Sequence, residues 1–525
     1  MTQPSYDLLN EPWIPVLRAD GTPAMLGLRD VLLQAHRLRG LAGETPLTTA
    51  ALYRLLLAVL YRALGAPTTY SWERLWEQGR FPAEALEEYL TRWQHRFDLF
   101  HPERPFLQWP DDRVKPKSVI HLVPHMASGN NATLFDHHHE GQEVRLQPDE
   151  AARALLVALT FGLAGLSGLP QKFTDAPWGR GIIFLAEGDT LFATLMFNFL
   201  PSHRTGLGMA EDSLDRPFWE AEHPFSPIRK YPLGITDYLT WPNRAVRLLP
   251  EPDGAGGWVV RQMTMAPGLV LASSVLDPYK HYRVDEKRGY LVLRFQESRA
   301  LWRDSAALLQ LRQKEKQTHR PPRPLIWLAD LTENGVLPEH FRHLIMALGM
   351  ANNQAKIDFY REEHFPVPAE YLTTPALVQQ LNEALVLAEA AGRVLGMALS
   401  RMATLILSPT ADDPEGRKPD RKDVSNLVGH WGGRRAYWAA LEAPFWALLL
   451  ALPQDGEKAL QTWRETVQRE ALVAFNHVAD ALGKTPRVLK AVARADRQLR
   501  GSLFCVFYPQ EEKCQTKSRK SQGRR

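Results

Sequence analysis

One cluster of metal-ligating side chains stands out in the chain: Asp136, His137, His138, His139 and Glu140. Imidazoles and carboxylates are the groups that hold a hydrolytic metal ion. The spacing speaks against that use. Ligands normally come from helical or hairpin intervals, and consecutive residues cannot easily all turn toward one ion. The cluster reads as a polar loop, with a metal-dependent nuclease or hydrolase as the alternative. The sequence holds no phosphate-binding Gly-rich loop ending in Gly-Lys, no His-Glu-x-x-His and no Gly-x-Ser-x-Gly. Gly179 and Gly181 lack the strand–loop–helix setting of a dinucleotide fingerprint. Cys505 and Cys514, the only cysteines, lie at the far C-terminal end, a poor place for a preorganised nucleophile. They are too few for a four-cysteine zinc site, and a bond between them stays open. The expectation is a protein with no catalytic residue, no bound metal and no cofactor.

Other residues suit nucleic acid. Asn352, Asn353 and Gln354 offer amide donors and acceptors in a row, followed by small Ala355 and cationic Lys356. The same stretch reads equally as a plain polar turn. Lys484, Arg487, Lys490, Arg494, Arg497 and Arg500 recur mostly three or four residues apart, on neighbouring helical faces. They form either a solvated face or a salt-sensitive track for DNA. The tail after Cys514 carries Lys517, Arg519, Lys520, Arg524 and Arg525 with no acid, and reads as a disordered, solvated tail, with a loose phosphate-contacting arm as the alternative. Net charge of +4 and pI of about 8.9 by themselves decide nothing, because the distribution of charge carries the information.

These residues need elements to position them. At 525 residues, 45% apolar, the chain exceeds one ordinary core and is expected to fold as more than one domain. The most apolar run, Phe445 to Leu452 between prolines, falls short of a membrane crossing, and no signal peptide is evident, so a cytoplasmic protein without membrane contact is expected. Tyr6 to Thr22 reads as a strand and hairpin around Ala19-Asp20-Gly21. Helices are expected over Leu26–Leu38, Leu47–Leu64 (capped by Thr45-Pro46), Tyr70 to about Phe97, and Ala151–Leu166. Arg113 to Glu143 shows no periodicity and reads as a long loop. Strands are expected at Gly181–Leu185, Leu191–Phe199, Ala245–Leu249, Trp258–Met263 and Tyr290–Phe295. Past Pro368 strand signals vanish, and Leu377–Leu407, Trp431–Leu452, Gly456–Leu482 and Pro486–Leu499 read as four long helices. The fold class is α+β: a mixed α/β domain over 1–365, a four-helix bundle over 366–510, and a basic tail over 511–525.

Three segments in order carry a family resemblance: Leu8 to Val16 with its Trp13-Ile14-Pro15-Val16, His101 to Gln108 with its Pro105-Phe106-Leu107-Gln108, and Asn352-Asn353-Gln354-Ala355 after Gly349. Together with the mixed domain and bundle they resemble the CasA family, the large subunit of the type I-E Cascade complex of CRISPR defence. The resemblance spans essentially the whole chain and is thin between positions 180 and 330.

That resemblance implies a non-catalytic subunit, partnered with other Cascade subunits and the guide CRISPR RNA. Such a subunit reads the protospacer-adjacent motif (PAM) of double-stranded target DNA, helps open the duplex and supports a recruited helicase–nuclease. Gln354 matches the family's strand-separating wedge, and an inserted side chain must offset an unstacking cost of a few kcal/mol per step. Asn353 would meet base edges, Ala355 would let the tip approach closely, and Lys356 would meet a phosphate. Gly165, Ser167, Gly168 and Lys172 match the family's glycine-rich loop, with fewer glycines than usual; the alternative there is a helix stop at Gly168 and Pro170. Asn130, Asn131 and Phe135 match a loop that contacts the guide RNA end or the PAM. The family's minor-groove lysine has no clear counterpart, since no lysine occurs between Lys230 and Lys280. Arg261 and Lys280 are the substitutes at hand. The zinc knuckle of some relatives is absent, for want of cysteines.

Overall fold

A computed structural model of the chain describes residues 3–124, 144–207, 214–311, 318–338, 342–353, 356–408 and 419–509. The chain divides into two compact units, Met1–Leu301 with Leu308–Thr373, and Trp302–Ala307 with Thr374–Arg525.

The first unit mixes sheets and helices. Trp13 is fully buried and donates its indole N–H to the Leu8 carbonyl at 2.7 Å, which fixes the opening segment. Strand Ile14–Arg18 then pairs with both Pro23–Leu26 and Leu38–Leu41. This third strand shortens the helix expected over Leu26–Leu38 to Leu28–Leu33, because pairing with Val16 and Arg18 buries Leu41 and Leu38.

Helix Pro46–Leu64 starts as expected. Thr45 caps it by accepting from the Thr48 N–H at 3.2 Å, and Pro46 fills the first turn. Its apolar residues go all the way round, the signature of a helix enclosed on every side. By length and composition it could cross a membrane, as could Pro375–Leu407, so the apolar run at Phe445–Leu452 is not the longest. In the fold Leu47 to Tyr61 are all buried, which makes this helix the core of the first unit.

The expected strand Leu191–Phe199 is instead the helix Leu191–Asn198. A run of continuous apolar residues does not distinguish a buried strand from a buried helix. The deciding groups are polar: Thr190 accepts from the Ala193 N–H at 3.1 Å, and Asn198 pairs with both backbone groups of Ala186. The other expected strands are present with shifted ends, as Ile183–Glu187, Arg244–Pro252, Trp258–Pro267 and Gly289–Val292.

A long antiparallel hairpin, Arg342–Asn353 with Lys356–Pro368, completes this unit. Leu344–Leu348 of its first strand also pairs with Ile183–Glu187, giving a three-stranded sheet with the second hairpin strand at the edge. Lys356–Pro368 runs through the boundary expected at 365/366, and the units divide at Thr373/Thr374. The prolines that suggested a break, Pro366 and Pro368, sit in an edge strand, where a missing N–H is tolerated.

The second unit is a bundle of four long helices, Pro375–Leu407, Gly433–Ala451, Gly456–Ala481 and Pro486–Phe507. A fifth, Arg421–Trp431, buries nothing. Gly432, at φ +68°, separates it from the next helix, which therefore starts two residues later than Trp431. Six residues from the middle of the chain, Trp302–Ala307, belong to this unit. Trp302 stacks on Phe445 at 4.6 Å, while Arg303 lies 3.5 Å over the Trp438 ring and pairs with Glu389.

Candidate nucleic-acid interface

The hairpin is part of a three-stranded sheet at its base and narrows to two strands toward its end. Beyond Leu348, residues Gly349–Asn353 pair only with the second hairpin strand among the described residues. Gly349 lies close to another stretch of backbone: a Cβ there would lie 3.0 Å from the Gly181 carbonyl oxygen. Ala351 faces Phe359 but Asn352 faces Ile357, so Asp358 is an extra residue that bulges the second strand. Bulges add twist and re-aim the residues beyond them. Asn353 pairs with exposed Lys356, and half-buried Asn352 precedes them. Gln354 and Ala355 lie outside the described residues.

Three side chains that the sequence reading passed over brace this hairpin. Arg361 lies 4.8 Å over Phe359 and 5.5 Å over Phe295, and pairs with Glu363. His364 donates from Nδ1 to Glu187 at 2.6 Å and from Nε2 to Glu362 at 2.8 Å. These two carboxylates raise its pKa to about 10, so the ring is an imidazolium at neutral pH and ties the hairpin edge to strand Ile183–Glu187. Tyr360 donates to the Pro124 carbonyl at 3.2 Å. Pro124 is the last described residue before 125–143, the segment that contains Asn130, Asn131, Phe135 and the Asp136–Glu140 cluster; all of these lie outside the described residues. The hairpin flank therefore touches the point where that segment begins. Charged residues crowd Lys356–His364, which hides a strand. The detectable signal was the apolar run Leu344–Ala351 ending in Asn-Asn.

The glycine-poor loop corrects an expectation. The helix expected to reach Leu166 is Pro148–Phe161 and stops at Gly162, so Gly168 and Pro170 do not end it. Arg244, buried against this turn, donates to the Leu163 carbonyl at 2.7 Å and takes the chain out of helical register. Residues 165 to 173 form a closed loop instead, with Gly165 and Phe173 exchanging backbone hydrogen bonds at 3.2 and 3.0 Å. Ser167 accepts from the Leu169 N–H and donates to the Gln171 carbonyl. Gly168 at φ +80° takes the left-handed position that glycine favours. No atom stands within 4 Å of a Cβ built on Gly165 or Gly168, and Lys172 is exposed, so the loop is ordered and open on its outer side.

Neither substitute for the minor-groove lysine is a free cation. Lys280 is buried, donates to the Pro177 carbonyl at 2.6 Å, and has its pKa pulled down to about 8 by burial. It braces the core behind Ile183. Arg261 pairs with Glu251 at 2.8 Å on the strand pair Arg244–Pro252 and Trp258–Pro267.

In the bundle, Pro486–Phe507 buries Ala491, Ala495, Leu499, Leu503 and Phe507, one ridge of residues four apart. Arg487, Lys490, Arg494 and Arg497 are exposed, as is Lys484 just before the helix. Arg487 reaches the Leu405 carbonyl at 3.4 Å, and Arg500 pairs with Asp496. Cys505 lies on this helix; Cys514 and the basic tail are outside the described residues. Among the described residues, no three His, Cys, Asp or Glu side chains are grouped as metal ligands.

Comparison with known proteins gives these features a family. Residues 7–474 match the family of CRISPR-associated protein Cse1. The chain is 36% identical to the CRISPR-associated protein CasA/Cse1 of Thermus thermophilus, over 94% of this chain and 96% of that protein. Its fold is similar to a crystal structure of Thermus thermophilus CasA (TM-score 0.78, 32% identity, 95% of this chain and 99% of that one). It is also similar to Thermobifida fusca Cse1 (TM-score 0.77, 25% identity, 96% and 98%). A chain in a structure described as a CRISPR RNA-guided surveillance complex matches with TM-score 0.74 and 28% identity, over 95% and 100% of the two chains. The chain belongs to the Cse1 (CasA) family of CRISPR-associated proteins.

Proposed function

We propose that this chain is the non-catalytic large subunit of a type I-E RNA-guided surveillance complex, acting in the cytoplasm with other Cascade subunits and a guide CRISPR RNA. In this reading it recognises the PAM in double-stranded DNA, promotes strand opening and supports recruitment of the helicase–nuclease. One observation carries the proposal: a braced hairpin narrows to two strands whose last described pair is Asn353 with Lys356, the residues that Gln354 and Ala355 join in sequence. A narrow tip suits the minor groove, about 6 Å wide, and amides suit its mostly acceptor-lined floor. Division of labour follows, with guide pairing reading the sequence and the protein reading a short motif and duplex shape.

The supporting elements have stated roles. Gly165, Ser167, Gly168 and Lys172 place an open backbone turn and a cation against the duplex. Asn130, Asn131 and Phe135 act at the guide end or PAM. The bundle helix with Lys484, Arg487, Lys490, Arg494 and Arg497 tracks DNA phosphates.

The test is PAM-dependent binding of a matched duplex by the assembled guide–protein complex, with and without this subunit. Loss of discrimination between PAM and non-PAM duplexes on omission supports the proposal. Unchanged discrimination contradicts it.

A further inference from the structure

Arg320-Pro321-Pro322-Arg323-Pro324 sets two cations in a stretch that its prolines stiffen. The fold holds both ends of it. Arg320 pairs with Tyr282 in a short strand, donates from Nη1 to the Asp277 carbonyl at 3.3 Å and lies 5.7 Å over the Tyr282 ring. The Arg323 N–H donates to the Pro278 carbonyl at 2.7 Å, and helix Arg323–Glu333 begins there.

Both guanidinium groups converge on one glycine. Gly206 closes the short helix Ser202–Thr205 at φ +67°. A Cβ built on it would lie 3.0 Å from Nη2 of Arg320, and 3.4 and 3.6 Å from Nη2 and Nε of Arg323. The left-handed backbone by itself would admit Asn as well as glycine. The missing side chain also leaves the space beside two cations open, and because Gly206 is exposed that space is reached from solvent.

No carboxylate fills it among the described residues. Arg204, a third cation nearby, pairs with Asp330 at 2.6 Å. The Asp277 carboxylate accepts from the Tyr238 hydroxyl and the Tyr279 N–H, and Arg320 meets only the backbone carbonyl of that residue. Arg320 is 6% exposed, and its Nη2 makes no hydrogen bond among the described residues. Arg323 forms no ion pair among them, and its Nε is buried without a partner. Burial first, and then the Arg320 and Arg204 charges, lower the Arg323 pKa. Cations held this close and out of water cost stability unless an anion joins them. A carboxylate offers two oxygens, which one guanidinium fork already matches. A tetrahedral oxyanion offers enough for both forks.

We propose that Arg320, Arg323 and the open side of Gly206 form a binding site for a phosphate-class oxyanion. None of the three is among the residues assigned to DNA above, and the site stands without that function.

The experiment follows the thermal midpoint of the purified full chain in inorganic phosphate, against chloride at equal ionic strength. Phosphate at several times its dissociation constant should raise the wild-type midpoint by about 2 °C. Arg323→Gln should lose that rise, yet melt no lower than wild type in chloride, because it removes a repelled cation. Gly206→Asn suits the left-handed backbone, puts a side chain into the opening, and should lose the rise as well. No rise in wild type would overturn the site. So would an equal rise in Arg323→Gln, or a midpoint lowered by the same amount in both salts, which would make Arg323 a structural residue. Glu211 and Asp212 follow Gly206 in the chain, outside the described residues. A rise that appears only in Glu211→Gln/Asp212→Asn would also overturn the proposal, by showing the opening filled by the chain's own acids. A free oxyanion and a nucleic-acid phosphate share this chemistry, and a short single-stranded oligonucleotide run beside inorganic phosphate distinguishes them. An Arg323-dependent rise from phosphate alone keeps the site and makes its ligand a free oxyanion. The same rise from the oligonucleotide keeps the site and makes its ligand a phosphate of a strand.

Discussion

In the hairpin of the first unit, three side chains of the second strand make bracing contacts: Arg361 on two aromatic rings, His364 between two carboxylates, Tyr360 on a backbone carbonyl. On helix Pro486–Phe507 of the second unit, several cations are exposed, and the ordered packing lies on a buried ridge. The contrast matches the two jobs that nucleic-acid recognition divides. Contacts to base edges specify and need fixed geometry, while contacts to phosphate position and need only charge. A braced tip can lose function from one substitution. A charged face should lose it gradually.

The sharpest way to break this comparison is at the tip. Gln354→Ala and Asn353→Ala should each cost about 1–3 kcal/mol in PAM-dependent duplex binding, the worth of a good base-edge contact, while the thermal midpoint of the purified chain stays put. Equilibrium binding by the assembled complex checks this. Neutralising Arg487, Lys490, Arg494 and Arg497 to Ala should act differently, weakening PAM and non-PAM duplexes alike and flattening the salt dependence. A change in PAM preference in that variant would erase the distinction between the regions.

Smaller effects probe the bracing. His364 has a folded-state pKa raised to about 10 from 6.5, so its contribution is fully present below about pH 6.5 and is lost as pH rises toward 10. Hydrogen exchange of the hairpin amides should accelerate over that window in wild type, beyond the ordinary pH dependence of exchange, and not in His364→Gln. Gly349→Ala should lower the melting temperature modestly, because the new Cβ at 3.0 Å from the Gly181 oxygen forces two backbones apart. Ser167→Ala should have the smallest effect, about 0.5–1.5 kcal/mol of local loop order at most, seen as faster exchange at Leu169.

How much of this was legible in the sequence depended on how local the signal was. Thr45-Pro46 announces a helix start that the fold keeps, and the last helix starts at Pro486 as expected. The bundle was legible because long amphipathic periodicity survives without its partners. The hairpin was legible only at its Asn-rich turn, since Lys356–His364 carries charges whose partners, such as Glu187, are distant in sequence. Leu191–Asn198 was misread because apolarity alone gives no period, and the Asn198–Ala186 pairing that anchors it is tertiary. The stop at Gly162 depended on Arg244, more than eighty residues away. Lys280 looked available because burial cannot be read from a single residue.

The most direct measurement is opening of the first base pair beside the PAM in the assembled complex, followed with a fluorescent base analogue, for wild type and Gln354→Ala. The account predicts that the substitution slows or abolishes opening of a closed duplex, while DNA opened in advance is bound equally well by both. Equal opening by both proteins would contradict it and leave residues 352–356 as an ordinary turn.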